Sequence, residues 1–472
     1  MADRSWVVLV ACVGLALVLH AQVLGLSFFS DDFQVLHRLG VDGELSGGTF
    51  FRPLPDLFLW LNYLVAGPTP WAFRVINVML LGVNGWLLFL LARKVLMSRG
   101  VIATSVPPIA ALLFVCYPFH TEPQLWIIGR GIAMATAFTL WCLITVTGAA
   151  ATMKKAATVF LLTSLGLLCY ESAFVLPLLL MVLLIGTPER RPLFWAIGAS
   201  VLAVGLNLLL RVAFTGHVIN DYGAAIVHNA GNDLFDRALG SYLRLFFQAD
   251  GVTGGLLQLL ASLPVLLVIV LVLRHRLKKL PEDKPVMSIV VLWLLVCVCT
   301  AAVGGTPLHS GEGSRFMYMP SAFLCMTGAL ALVIIFRRAW LRACLIAVLV
   351  VLGIGTIGSE QANWAEASST IERIVSSTPV APANARLFVT DLPGEHDGAY
   401  IFRHGYIEAL LFAGRDTSGV HWTTVVNTRR KDQSIAVLVE NNADTLLILP
   451  TDTVIRWKEG GFVGEERDLI AP

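Results

Sequence analysis

The chain alternates long apolar runs with short polar connections. Runs at 6–26, 72–92, 105–119, 125–150, 156–170, 172–186, 192–214, 253–273, 286–303, 317–336 and 339–358 read as eleven membrane-spanning helices. A helix rising 1.5 Å per residue needs ~20 residues to cross a hydrocarbon core ~30 Å thick. The first run is long and no small-x-small cleavage site follows it, so a retained helix is expected rather than a signal peptide. The runs 156–170 and 172–186 are short. Joined as one helix they would bury Glu171 in mid-membrane and force their basic flanks to opposite sides, so a hairpin turning at Tyr170-Glu171 is expected. Residues 27–71, with Pro53, Pro55, Pro68 and Pro70, read as a loop carrying short surface helices. In 232–247 apolar positions interleave with Asp236, Arg237 and Arg244, the pattern of an amphipathic helix at the membrane interface.

After residue 358 the pattern changes. Residues 360–378 read as a polar helical connector. A strand at 386–390, a helix at 398–413 and strands at 419–427, 434–439, 444–449 and 453–457 follow. The expected fold class is a mainly α-helical polytopic membrane protein with a small C-terminal α+β domain. The expected divisions are 1–358 for the membrane domain, 359–378 for the connector and 379–472 for the α+β domain.

Composition supports this reading. Hydrophobic residues make up 56% of the chain and charged residues 14%, against ~25% charged in soluble domains. All eight cysteines lie in or at the ends of apolar segments, which implies no disulfide framework, and Cys297/Cys299 reads as helix packing. Nothing resembles a nucleic-acid module. Basic clusters occur at Arg93/Lys94/Arg99, Lys154/Lys155, Arg190/Arg191, Arg274/Arg276/Lys278/Lys279 and Arg337/Arg338/Arg342. Two crossings fit between each cluster and the next, so all can be cytoplasmic, with the amino terminus. Asp31/Asp32, His120-Thr121-Glu122, Tyr170-Glu171, the stretch from His309 to Arg315 and the tail after 358 then lie on the outer side. The outer regions hold no Asn-x-Ser/Thr sequon, as suits a bacterial plasma membrane.

Ser30-Asp31-Asp32-Phe33 places two carboxylates at the membrane surface, where charge is costly and usually functional. The structural alternative is a helix start, with Ser30 as N-cap and the two acids in a first turn that suits the dipole. Structural alternatives also exist for Arg130 as a snorkelling or paired arginine, Glu171 as a turn residue and Arg315 as a boundary anchor beside Tyr318. In the tail, His396, Arg403, His404 and His421 lack a supporting spacing and read as solvated.

Four motifs in order carry a family resemblance. They are Asp31-Asp32 with Phe51-Arg52-Pro53-Leu54; Tyr117-Pro118-Phe119-His120-Thr121-Glu122 continuing to Trp126-Ile127-Ile128-Gly129-Arg130; Tyr170-Glu171 before a run containing Pro177; and Ser314-Arg315-Phe316-Met317-Tyr318-Met319-Pro320-Ser321. Tyr242-Leu243-Arg244-Leu245 is a looser fifth. Over roughly residues 5–360 the chain resembles the GT-C superfamily of polytopic glycosyltransferases. Within it the likeness is to the membrane part of the tetratricopeptide-containing mannosyltransferase-like group and related protein mannosyltransferases. Two departures are Tyr117-Pro118 where the family usually has His-Pro, and the α+β tail in place of the repeats.

The resemblance implies transfer of a sugar from a polyprenyl-phosphate donor on the outer face, with inversion at the anomeric carbon. It implies Asp31 as the base, Asp32 as a supporting residue, and Arg315, Arg130 and Arg52, in that order, as ligands of the donor phosphate. Glu122, His120 and Glu171 would orient these groups, with Tyr318 and Arg244 supporting. No cofactor is certain; Asp31/Asp32 could hold a divalent cation, although relatives using lipid monophosphate donors generally do without one. The implied partners are the donor, membrane lipids and an unidentified glycan, lipid or protein acceptor. The tail is expected to be accessory, because the motif set is complete before residue 360.

Two other functions fit buried charge in a membrane protein. One is a lipid or solute transporter or flippase, against which stand the absence of repeat-related broken helices and the crowding of ionic motifs on one face. The other is a non-catalytic scaffold, against which stand intact Asp31, Arg130 and Arg315. Release of free carrier lipid separates transfer from both.

Overall fold

The computed structural model describes residues 5–45, 50–98, 104–147, 153–185, 190–218, 237–246, 269–278, 283–304, 313–381, 386–423, 427–431, 434–438, 445–448, 453–458 and 460–464. Among the described residues seven helices are long and apolar enough to cross a membrane: Ser5–Val23, Pro70–Ser98, Ile127–Val146, Arg191–Thr215, Lys284–Ala301, Ser314–Ile335 and Ala339–Ser377. The protein is a multi-pass membrane protein. The expected runs 105–119 and 172–186 appear as the shorter apolar helices Val106–Val115 and Glu171–Val182. The run 156–170 appears as the 15-residue helix Met153–Leu167. The expected span 253–273 lies outside the described residues up to 268, and the interfacial helix expected at 232–247 is described over 237–246, helical to 244.

Contacts divide the chain into two units. The first comprises Met1–Leu24, Leu45–Asn62 and Trp71–Gln361; the second comprises Gly25–Glu44, Tyr63–Pro70 and Ala362–Pro472. The Asp31-Asp32 segment therefore groups with the C-terminal residues rather than with the membrane helices that flank it in sequence.

In the first unit, Leu81, Leu88, Phe114, Trp293, Tyr318 and Phe323 are buried in one continuous core. Small residues let backbones approach: a Cβ on Gly82 would lie 2.5 Å from Val13 Cα, and one on Gly85 2.7 Å from a Val115 methyl. Gly353 is closer still to the Cys116 carbonyl, with no room for a side chain. Prolines sit in the first turns of Val106–Val115, Leu176–Val182 and Arg191–Thr215, where their missing N–H costs nothing. Gly216, left-handed at φ 77°, ends the last of these.

In the second unit, strand Leu387–Thr390 is flanked by two parallel neighbours, Val420–Thr423 and Thr453–Lys458. Gly461–Gly464 pairs antiparallel with the latter. Asn427–Lys431, Ser434–Leu438 and Thr445–Ile448 form a separate three-stranded sheet. One expectation is corrected here. Residues 398–413 are not one helix: Glu395–His396 pairs with Ala399–Tyr400, across Asp397 (φ 45°) and Gly398 (φ 83°). Asp-Gly between two short strands is the chemistry of a tight hairpin, and it breaks the helical pattern. The helix is only Tyr406–Phe412, entered through Gly405 at φ 79°. The run 360–378 continues the last apolar run without a break, as the 39-residue helix Ala339–Ser377, about 58 Å long at 1.5 Å per residue.

Candidate functional site

Glu122 and Arg315 meet in the first unit. Glu122 lies in the short helix Thr121–Leu125 and is 5% exposed. Its carboxylate accepts bonds from the Arg315 guanidinium, from the Arg315 backbone N–H at 2.9 Å and from Ser314 Oγ at 2.9 Å. The backbone bond is available because Arg315 lies in the first turn of the 3₁₀ helix Ser314–Met317 that leads into Tyr318–Ile335. The guanidinium also lies over the Trp126 ring at 5.0 Å and the Phe316 ring at 4.8 Å. These contacts hold a planar cation in a half-dry place, where it acts more strongly than in water.

Two further ion pairs share Glu171, one with Arg52 and one with Arg211. Glu171 Oε2 accepts from Arg52 at 2.8 and 3.1 Å, and Oε1 accepts from Arg211 at 3.0 Å. Arg52 stacks over Tyr170 at 4.1 Å and Phe50 at 4.5 Å. Burial opposes ionisation of Glu171, but Arg52 and then Arg211 outweigh it and hold its carboxyl below the usual range. Burial likewise works against the charge of Arg52; Glu171 and Tyr170 more than offset this, and the charge of Arg315 lies near enough to oppose them. Two arginines from distant segments, each held by its own glutamate, thus share one electrostatic neighbourhood.

Arg211 was not singled out from the sequence. The signal was present, as a lone arginine at the end of the apolar run 192–214. Arg74, Asn77 and Asn84 were missed in the same way on Pro70–Ser98, where all three are fully buried.

Arg130 is 1% exposed. Its guanidinium donates to Asn77 Oδ1 at 2.8 Å, Asn62 Oδ1 at 3.1 Å and the carbonyls of Phe73 at 3.0 Å and Phe58 at 3.4 Å. It ties Arg130–Val146 to Pro53–Ala66 and Pro70–Ser98. His120 Nε2 lies 2.7 Å from Ser321 Oγ, which also lies 2.7 Å from the Tyr318 carbonyl. Burial, with a smaller contribution from nearby His20, lowers the His120 pKa well below the ordinary value and keeps the ring neutral. Tyr318 accepts from Asn84 Nδ2 at 3.1 Å and its ring centroid is 4.5 Å from that of His120. Arg244 is buried on the 237–244 helix, next to Leu245, whose carbonyl takes a 2.6 Å bond from Tyr117 Oη.

Asp31 and Asp32 belong to the second unit, at the start of helix Asp31–Gly40. The expected Ser30 cap is absent: Ser30 precedes the helix at φ 45°, ψ −118°, and its hydroxyl makes no capping bond. The hydroxyl donates instead to Asp31 Oδ1 at 3.1 Å. Asp32 N–H donates to the Phe29 carbonyl at 2.9 Å, and Asp32 Oδ2 takes the Phe29 N–H at 3.2 Å. Asp32 is fully buried and closes this turn, whereas Asp31 is partly exposed. The two neighbours have different surroundings because successive side chains project differently.

Among the described residues no group of three or more His, Cys, Asp or Glu side chains could hold a metal ion. A cation at Asp31/Asp32 would complete its shell from water and substrate oxygens.

A scan against protein-family models finds no match. An alignment of 144 positions that covers 26% of this chain is 35% identical to Protein O-mannosyl-transferase Tmtc1 of Drosophila melanogaster and covers 16% of it. A 95-residue stretch, 20% of this chain, is 35% identical to Protein O-mannosyl-transferase TMTC2 of Homo sapiens and covers 11% of it. The chain thus matches less than a fifth of the length of these curated relatives. In fold it is similar to the apo crystal structure of ArnT from Cupriavidus metallidurans, at TM-score 0.50 and 11% identity, over 90% of this chain and 87% of that one. The resemblance to GT-C glycosyltransferases drawn from the four motifs is present in these sequence relatives and in the fold.

Proposed function

We propose that this chain is a glycosyltransferase that moves a sugar from a polyprenyl-phosphate carrier to an acceptor on the outer face of the membrane, with inversion. The observation that carries the reading is that Arg315 and Arg52, near enough for their charges to oppose each other, are each half-buried against aromatic rings and each paired with a glutamate. A lipid phosphate arriving there meets two planar cations. An arginine fork matches phosphate oxygens in two parallel bonds, and it offsets the charge that grows on the leaving phosphate as the sugar departs. Arg211 extends the same cluster through Glu171. Arg130, with four protein acceptors of its own, is assigned to holding three helices in place.

The base is Asp31. It is the more accessible carboxylate of the pair, and it can take the acceptor hydroxyl's proton as that oxygen attacks the anomeric carbon. The bond from that carbon to the phosphate oxygen breaks, and free polyprenyl phosphate is released. A cation at Asp31/Asp32 would supply charge stabilisation.

The test uses the purified full chain in lipid nanodiscs with polyprenyl-phosphate donors of different sugars and an extract of envelope glycans, lipids and proteins as the acceptor source. Transfer releases polyprenyl phosphate, and Arg315→Lys and Arg52→Lys should each weaken donor binding about tenfold or more by losing the fork. No release with any donor, with the chain folded, would remove the transferase reading. Donor binding unchanged in both variants would move the phosphate site elsewhere.

A further inference from the structure

The turn that carries Asp31 is held in an uncomfortable conformation by residues of the C-terminal segment. Ser30 sits at φ 45°, ψ −118°, a region that glycine occupies freely and other residues rarely. Its N–H donates to the Ile401 carbonyl at 3.0 Å. Its Oγ accepts the His404 N–H at 3.3 Å and donates its own proton to Asp31 Oδ1 at 3.1 Å. Gly405, itself at φ +79°, lies so close that a Cβ there would fall 2.5 Å from the Ser30 carbonyl oxygen and 3.1 Å from Phe33 Cβ. The Phe33 ring packs near Phe402 and Phe412, at 6.2 and 6.3 Å.

Glycine in place of Ser30 would relieve the backbone and keep the Ile401 bond. What glycine cannot supply is the hydroxyl, which links a backbone N–H of the 401–405 loop to the carboxylate of Asp31. Strain of this kind persists only where the surroundings over-determine it, and it concentrates at functional sites. We propose that Ser30 is a positioning residue and that the 401–405 loop is a clamp, together orienting the Asp31 carboxylate for proton abstraction. This inference rests on the reading of Asp31 as base. The loop lies in the 379–472 segment that the motifs leave out, and it gives that segment a part in the chemistry.

Three variants of the full chain in nanodiscs test it. Ser30→Gly removes the hydroxyl and the strain; Ser30→Ala removes the hydroxyl and keeps the strain. Both should lose about tenfold or more in kcat with donor KM little changed, while the melting temperature holds or rises in Ser30→Gly and falls in Ser30→Ala. A purely structural serine predicts wild-type turnover in Ser30→Gly, which would overturn the positioning role. Gly405→Ala should speed amide hydrogen exchange at residues 31–33, and unchanged exchange would overturn the clamp. Should Gly405→Ala fail to fold, the two Ser30 variants decide alone. Should the wild-type chain transfer nothing, the base assignment fails with the proposed function, while the exchange measurement still decides whether the clamp exists.

Discussion

Asp31 and Asp32 differ by one position and by almost everything around them. Asp32 is fully buried with its carboxylate on the Phe29 N–H. Asp32→Ala should therefore cost about 1–3 kcal/mol, the penalty for stranding a buried donor, seen as a lower melting temperature in detergent. Asp31→Asn keeps size and polarity but removes the proton acceptor, so turnover should fall about 10²-fold or more with little change in melting temperature. Full activity in purified Asp31→Asn would end its assignment as base. Glu171 gives a signed pH effect. Its folded pKa is lowered from 4.5, so its ion pairs contribute fully above that value. The contribution is lost as pH falls through the lower folded value. Glu171→Gln should remove that part of the acid-side loss of stability, and an identical stability–pH curve for the variant would count against the pair.

At the scale of elements, side chains that look catalytic in a motif can be beams. Arg130 begins one helix and holds two others through Asn77, Asn62 and two carbonyls. Removing it strands several buried acceptors, so Arg130→Ala should destabilise by more than about 3 kcal/mol. Donor affinity of the folded fraction should stay near wild type, and a large loss of affinity there would restore Arg130 to the phosphate site. The helix Ala339–Ser377 shows a related constraint, because Gly353 meets the Cys116 carbonyl with no space for a methyl group. Gly353→Ala should lower the melting temperature, whereas Gly355→Ala, with open space around it, should not.

At the scale of the whole molecule, the two units cut across the linear order of the chain. The acidic turn is early in sequence yet groups with the residues after 361. Deleting 386–472 removes Ile401, His404 and Phe412, all of which contact the segment from Ser30 to His37. Such a chain should still bind donor through Arg315 and Arg52 but should not transfer sugar. Retained transfer would make the tail dispensable to chemistry. The proposed topology is tested separately: a periplasm-dependent reporter should be active when fused after Pro472 and silent near Lys155.

Local rules of the chain determine much of this protein. Apolar runs of spanning length, broken by charge and proline, specify the helices, and Asp397-Gly398 specifies a hairpin once the tight-turn rule is given precedence over helical spacing. The ionic motifs were legible as candidates because charge near hydrocarbon is too costly to be idle. Pairing was not legible. Nothing in the spacing of Glu122 and Arg315, or of Arg52, Glu171 and Arg211, says which acid neutralises which base, since each partner comes from a distant segment of the chain. The same holds for Ser30: its sequence context predicts a helix cap, and only contacts with residues more than 360 positions away hold it at φ 45° instead. Composition decides which groups must find partners, and tertiary packing decides which partners they find.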